Sequence, residues 1–429
     1  MDRKKFLFVS EDALISDIAW QVVKEGHDAK YYIGCPDDKE SANGFVPKVD
    51  DWKKEVDWAD IIVFDDVLGF GAKADKLRKA GKKVVGGTPY TDRLEDERSF
   101  GQDELKRHGV SIIPYQEFKN FDEAIAYVHQ HPDEYVIKPS GETQNIKGML
   151  FVGMEKDGAD VIRILDAYKR VWKKNVVVQL QRKVAGVEVA VGAFFNGKKF
   201  IYPINVNFEH KKLFPGNIGP STGEMGTSMF WSAPNRIFNQ TLKKMEATLA
   251  QEGYIGYIDL NCIVNSAGIY PLEFTSRFGY PTISIQQEGI SMPISEFLFK
   301  LASGDDFEFK TKKGFQIGIR IVVPPFPFSD KRMFDIYSKD AVIVFKTKNL
   351  EGVHIEDVKL ENEQWMVTGS SGVSLIIVGT GLTMKQTIEQ TYSRVKNILI
   401  PNMYYRTDIG ERWFEDSDKL HTWGYLRES

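Results

Sequence analysis

Read as apolar and polar positions, the chain opens on a strand, helix, strand rhythm. Lys5–Ser10 (KFLFVS) is a short apolar run, followed by a helical pattern lasting to Lys24. Tyr31–Ile33 and Ile61–Phe64 are further strands, Ala72–Ala80 a helix, and KKVVGG another strand. This alternation predicts a parallel α/β unit over residues 1–95, with its ligand edge near Ser10–Asp12 and Phe64–Gly71. The first strand is not followed by GxGxxG, so a dinucleotide site is not expected.

The middle of the chain alternates differently. An amphipathic helix is expected over Asp92–His108, a strand over Val110–Pro114 and a helix over Phe121–His129. Tyr135–Lys138 is a strand opening into the glycine-punctuated turn PSGETQNIKG, and NVVVQLQ is strongly β. Val187–Phe195 and Lys199–Val206 read as a hairpin turned by Asn196-Gly197. The loop Gly216–Thr227 is rich in glycine, and a helix over Ile237–Glu252 follows it.

Gly253–Gly279 carries the densest pattern: two alternating runs flank the turn Asn265-Ser266-Ala267-Gly268. Side chains two apart share a face, so Asp259 pairs with Asn261 and Glu273 with Thr275. Across an antiparallel pair the two faces coincide. They read either as an oxygen cage for Mg²⁺ (or Mn²⁺) or as the solvated outer face of an ordinary hairpin. Beyond residue 310 come strands around Gly314–Val323, Ala341–Phe345, Gln364–Thr368 and Val373–Gly379, a helix over Thr383–Ile398 and a polar tail. The expected division is therefore 1–95, 96–310 with a small lid at about 110–185, and 311–429 as a separate α+β domain.

Composition narrows the function. With 429 residues, 42% apolar and 27% charged, the chain reads as a cytoplasmic globular protein, monomer or homodimer. A net charge of −4 indicates neither nucleic acid nor membrane as partner. Two distant cysteines read as reduced thiols. Lys138 and Lys147, across a glycine turn, could offset triphosphate charge or be surface lysines. Gln179, Leu180 and Gln181 could present backbone groups to adenine; Glu188 is a ribose contact or a surface acid. His210 and Lys211 precede the glycine loop as a cleft lining or a loop charge run. The other histidines, His354 among them, stand in no metal or triad spacing.

Several stretches, in order, resemble the ATP-grasp superfamily and its phosphoribosylamine–glycine ligase branch: LEDERSFGQDELKRHGV, YVIKPSG with its KG, EHKKLFPGNIGPSTGEMGT, LEFTSRFGYP and MYYRTDIGER. The resemblance implies an α/β and α+β ATP-grasp fold, with a parallel pre-ATP-grasp domain and a small C-terminal domain. It also implies ATP and Mg²⁺ as cofactors, with a carboxylate and an amine as small-molecule substrates joined through an acyl phosphate. By that resemblance Arg98, Lys138, Lys147, Gln179–Gln181 and Glu188 hold ATP; Asp259, Asn261, Glu273 and Thr275 hold metal; Arg277 faces the acyl phosphate. His210, Lys211, Gly219, Thr222, Gly223 and Arg277 line the substrate cleft, and Lys147, Glu273 and Arg277 form the catalytic set. Glycine or another small amino acid is the implied carboxylate.

Departures fall on the acceptor side. Ser10-Glu11-Asp12-Ala13-Leu14 replaces the family's glycine-rich phosphate turn, and two carboxylates there repel a phosphate by about 1 kcal/mol when exposed. Thr275, Tyr280 and Glu224 replace asparagine, aspartate and glycine, and Pro324–Pro327 replaces a flexible loop. Three readings stay open: a phosphoribosylamine–glycine ligase, a ligase for another amine (modified nucleoside or polyamine), and a nucleotide-binding protein without turnover.

Overall fold

The computed structural model describes residues 2–140, 149–172 and 177–426. The first unit is a parallel sheet in the order Asp28–Ile33, Lys5–Ser10, Ile61–Phe64, Val84–Val85. Parallel pairing puts the carboxyl ends of the first three strands on one edge, so Ser10, Ile33 and Phe64 end together.

A second sheet makes the lid, in the order Tyr115–Phe118, Val177–Arg182, Tyr135–Ser140, Phe151–Val152. Helices Phe121–Gln130 and Ala159–Val171 bury Val128, Val161 and Leu165 against it. No strand forms at 110–114. Gly109 takes φ 68°, and Val110 donates its N–H to Leu105, ending the preceding helix with the amide that a ladder would need.

The largest sheet has eight antiparallel strands among the described residues. Its order is Gly268–Thr275, Ile255–Asn265, Val187–Asn196, Ile204–Glu209, Gly226–Ser232, Phe315–Val322, Val373–Gly381, Val353–Ile355. The last three strands lie beyond residue 310, so the hydrogen-bonded ladder runs across that boundary. Val187, Val189 and Val191 with Ile258, Leu260, Cys262 and Val264 form a fully buried row on one face. Burying each large aliphatic side chain of that row contributes about 2 kcal/mol. Period two then sends Asp259 and Asn261 to the opposite face.

Other elements differ from their sequence patterns for local reasons. The helix expected over Asp92–His108 is two, Pro89–Asp96 and Arg98–Arg107, broken at Glu97 (φ −115°, ψ 89°). Gly101 packs so close that a Cβ there would lie 2.7 Å from the Leu94 carbonyl. The helix expected over Ile237–Glu252 breaks at Thr241, whose hydroxyl donates to the Ile237 carbonyl (2.6 Å). The strand after Asn196-Gly197 begins at Ile204, because Pro203 has no N–H to give, and it runs on to Glu209. The tail contains a helix, Trp413–Thr422, with Trp413 packed edge-on against Phe208, Phe230 and Phe315. Among the described residues, no helix is long and apolar enough to cross a membrane.

Candidate active site

The hairpin forms as its pattern requires. The Asn265 side chain accepts from the Ala267 and Gly268 amides (2.9 and 3.2 Å), closing the turn. Its register sets Asp259 opposite Thr275 and Asn261 opposite Glu273, with a bulge after Asn261. Directly opposed residues share a face, so the four polar side chains lie on one side. Behind Asp259 runs Gly192, where a Cβ would stand 2.5 Å from the Asp259 Cβ and 2.2 Å from the Tyr257 hydroxyl.

Asp259 is 3% exposed, and its Oδ1 has no hydrogen-bond partner among the described residues. Burial first, then the nearby Glu209 carboxylate, push its pKa well above the usual range, against a Thr275 hydrogen bond. Glu209 and Glu224 are raised in the same way, by burial and by their carboxylate neighbours. Glu224 Oε1 is likewise buried without a partner among the described residues. The charge of a divalent cation such as Mg²⁺ would hold these three buried acids ionised, although their oxygens do not converge as a ready-made cage: among the described residues, the ligand atoms of a set of three that come within 4.8 Å of one another belong to Asp12, Cys35 and Asp38.

Beside this cluster Lys211 is a hub, with Nζ at 2.9 Å from Glu273, 3.2 Å from Glu188 and 3.4 Å from Glu209. Burial alone would lower its pKa, but Glu273, Glu188 and Glu209 raise it well above an ordinary lysine. Lys211 in turn draws the Glu273 carboxyl down to about 2, although that side chain is half exposed to the cleft. Lys138, at the lid strand, donates to Gln181 (2.7 Å). Burial, and then Arg98, lower it to about 7, only partly offset by Glu273.

These groups border two adjoining cavities. The larger, about 520 Å³, lies between lid and hairpin: Ile113, Val136 and Leu150 face Ile263 and Leu272, with Lys138 and Glu188 at its polar end. The smaller, about 270 Å³, holds Asp259, Glu224, Thr275 and Arg277. Both include Arg98, Glu209, Lys211 and Glu273, so the cavities form one cleft. An apolar slot ending in cations, next to a carboxylate cluster, is a place for a flat base, a polyphosphate and a metal.

The expected residues divide between this cleft and elsewhere. Arg98, Lys138, Gln181, Glu188, Lys211, Gly223, Asp259, Glu273, Thr275 and Arg277 border it. Lys147 lies outside the described residues. Leu180 points into the lid core, while Gln179 stands on the same face as Gln181, directly opposite Lys138, but buried and not bordering either cavity; their strand is paired on both sides, and Arg182–Val184 line the cavity beyond it. Asn261, which faces the cleft side of the hairpin, donates its amide to Glu188 (2.8 Å). His210 is buried behind the cleft, its pKa lowered to about 3 by burial and then by Arg412. Thr222 hydrogen-bonds the Lys211 carbonyl (2.9 Å), and Gly219 sits at φ 84° in the exposed strand Ile218–Ser221. Arg277 is anchored by Glu95 (3.0 Å) and Asp66 (3.4 Å).

Sequence patterning missed Glu209, Glu95 and Arg412. Glu209 stands two before Lys211 and opens the stretch EHKKLFPGNIGPSTGEMGT, which were its signals. Arg412 donates to the Glu209 and Glu188 carbonyls (3.0 and 2.6 Å), tying the tail to the cleft.

Residues 96–283 match the family model described as phosphoribosylglycinamide synthetase, ATP-grasp (A) domain. The phosphoribosylamine–glycine ligase of Streptococcus pneumoniae is 25% identical over 356 residues, covering 81% of this chain and 82% of that one. Among solved structures, the phosphoribosylamine–glycine ligase of Thermotoga maritima has a TM-score of 0.70 at 19% identity, over 94% of this chain and 100% of its own. A biotin carboxylase from Campylobacter jejuni has a TM-score of 0.62 at 13% identity, over 98% and 96%.

Proposed function

We propose that this chain, an ATP-grasp protein similar to the phosphoribosylamine–glycine ligases, is an ATP-dependent carboxylate–amine ligase. The observation that carries this reading is the single cleft in which Lys138, Arg98 and Lys211 stand against Glu273 and the Asp259 cluster.

In this reading the base occupies the apolar slot, its edge against Arg182–Val184, and the phosphates run toward Lys138 and Arg98. Asp259, Glu209, Glu224 and Glu273 would hold Mg²⁺ or Mn²⁺, which when bound supplies positive charge to the phosphate oxygens. The substrate carboxylate, glycine or another small amino acid, lies near Arg277 and bonds to the γ-phosphorus as the bond to ADP breaks. The amine nitrogen then bonds to the acyl carbon, phosphate leaves with the electron pair of the broken C–O bond, and the nitrogen loses its proton to water. The chain's own contribution is orientation and fixed charge: Arg277, held by Glu95 and Asp66, cannot swing away, and Lys211 keeps Glu273 ionised. Residues 1–95 then furnish the acceptor edge, 96–310 the nucleotide grip, and 311–429 the closing wall. A cytoplasmic setting, where ATP and Mg²⁺ are plentiful, goes with this reading.

The test is ADP release with Mg·ATP, glycine and a panel of amines. Release that requires both an amino acid and an amine supports the ligase. Tight ATP binding with no release under any pair would leave only a nucleotide-binding protein. Glu273→Gln should lower the turnover rate by about 100-fold or more, since a group aimed at developing charge is lost; unchanged turnover would remove Glu273 from the site.

A further inference from the structure

We infer that the cavity at the carboxyl ends of the N-terminal strands receives an amine substrate bearing at least one further positive charge, of the polyamine class, and no phosphate. This rests on the ligase reading above. The cavity, about 550 Å³, shares Gly223 with the cleft described above, so a molecule lodged in it would lie next to that cleft. Distant stretches of the chain build its wall. Asp12 follows the first strand, and Asp37 and Asp38 follow the second. Glu356 and Asp357 come from the turn between Val353–Ile355 and Val358–Glu361. With Asp330, these make six carboxyl groups facing two cations, Arg320 and Lys331.

Both cations already face a carboxylate, although Arg320 Nε is buried with no hydrogen-bond partner among the described residues. Arg320 donates to Glu356 Oε1 (3.0 Å) and to the Glu224 carbonyl (3.1 Å), while Lys331 is exposed and reaches Asp335 (3.1 Å) and Asp37 (3.8 Å). An independent observation points to a ligand. Glu356 is 7% exposed, and its second oxygen, Oε2, has no hydrogen-bond partner among the described residues. A buried carboxylate oxygen without a donor is costly unless an N–H donor arrives with the substrate. Asp12 and Asp38 are raised by burial and their acidic neighbours, and Asp357 is pushed up to about 8 by burial and then Asp38. These are the shifts of carboxylates that lack cations. A phosphate would add to this crowding of negative charge, whereas an ammonium group would relieve it and favour the ionised carboxylates.

The experiment is calorimetric titration with spermidine and, separately, with ribose 5-phosphate, both in saturating Mg²⁺ so that a simple divalent site is already filled. Spermidine should bind and ribose 5-phosphate should not. Asp12→Asn, at an exposed side chain that the fold does not need, should weaken spermidine about tenfold, as should Glu356→Gln. Ribose 5-phosphate binding, no spermidine binding, or affinities unchanged in both variants would each overturn the inference. ADP release measured alongside separates the two readings. Release confined to phosphoribosylamine keeps the ligase and overturns the cation site. Spermidine binding that responds to both variants, with no release for any amine, keeps the cation site and removes the ligase.

Discussion

In the proposed ligase, Lys138 would couple nucleotide affinity to pH through a single ammonium group. Burial and Arg98 hold it at about 7 in the free protein, so above that pH it is largely neutral before ATP arrives. Because the triphosphate favours the charged form, binding must take up a proton there. The affinity for Mg·ATP should therefore fall by about tenfold per pH unit above pH 7, and Lys138→Met should flatten the dependence. Calorimetry in buffers of different ionisation enthalpy reads the proton directly, and a pH-independent affinity would dismiss the role. Lys138 itself was legible in the sequence, as a basic residue closing an apolar strand. Its environment was not: Arg98 lies forty residues upstream, and only the break at Glu97 turns the start of that helix toward the cleft. Asp259 and Glu273 were legible for the same local reason, since period two and a turn signal determine a hairpin face. Glu209 and Glu224 were not, because their proximity to Asp259 depends on which strands become neighbours.

Between elements, a histidine with no motif of its own proves to be a joint. His354 Nδ1 lies 2.7 Å from Asp17 on the first helix, and Nε2 lies 3.4 Å from Glu288 on the helix Thr282–Gly289. Burial would lower its pKa, but Asp17 and Glu288 outweigh it and raise it from 6.5 to about 9. A raised folded-state pKa contributes stability in full below 6.5 and loses it as pH rises through 9. Unfolding free energy should drop by roughly 3 kcal/mol across that window, and by much less in His354→Asn. Denaturant titrations at both ends of the window check it; a flat wild-type profile would refute the joint. Close strand packing gives a second expectation. Gly192→Ala brings a methyl group against Tyr257 and Asp259, so it should destabilise by about 1–3 kcal/mol and cut ADP release further than the stability loss accounts for. Full activity in a folded Gly192→Ala protein would show that Asp259 can shift without consequence. Most strand runs of even period were readable from sequence, the one expected over Val110–Pro114 excepted; helix breaks at Glu97 and Thr241 were not, because side-chain and packing contacts decide them.

For the molecule as a whole, the eight-stranded ladder makes the middle and last thirds one structure, which no local pattern announces. Strands beyond residue 310 looked like a separate domain because the pairing that crosses the boundary, Gly226 with Ile319 through Phe230 with Phe315, joins residues too far apart to leave a trace in spacing. Ligand linkage should act on that whole. Mg·ATP at a hundred times its dissociation constant should add about 2.7 kcal/mol and raise the melting temperature by about 3 °C, with less gained from ATP plus chelator. Equal shifts with and without the divalent ion would argue against a metal among Asp259, Glu209 and Glu224. One contact also orders events during synthesis. Arg412 ties the carbonyls of Glu188 and Glu209 from a helix near the end of the chain. A ribosome that has already made the lid, hairpin and glycine loop still holds a cleft without this brace, which arrives only once Arg412 has been added and folds back.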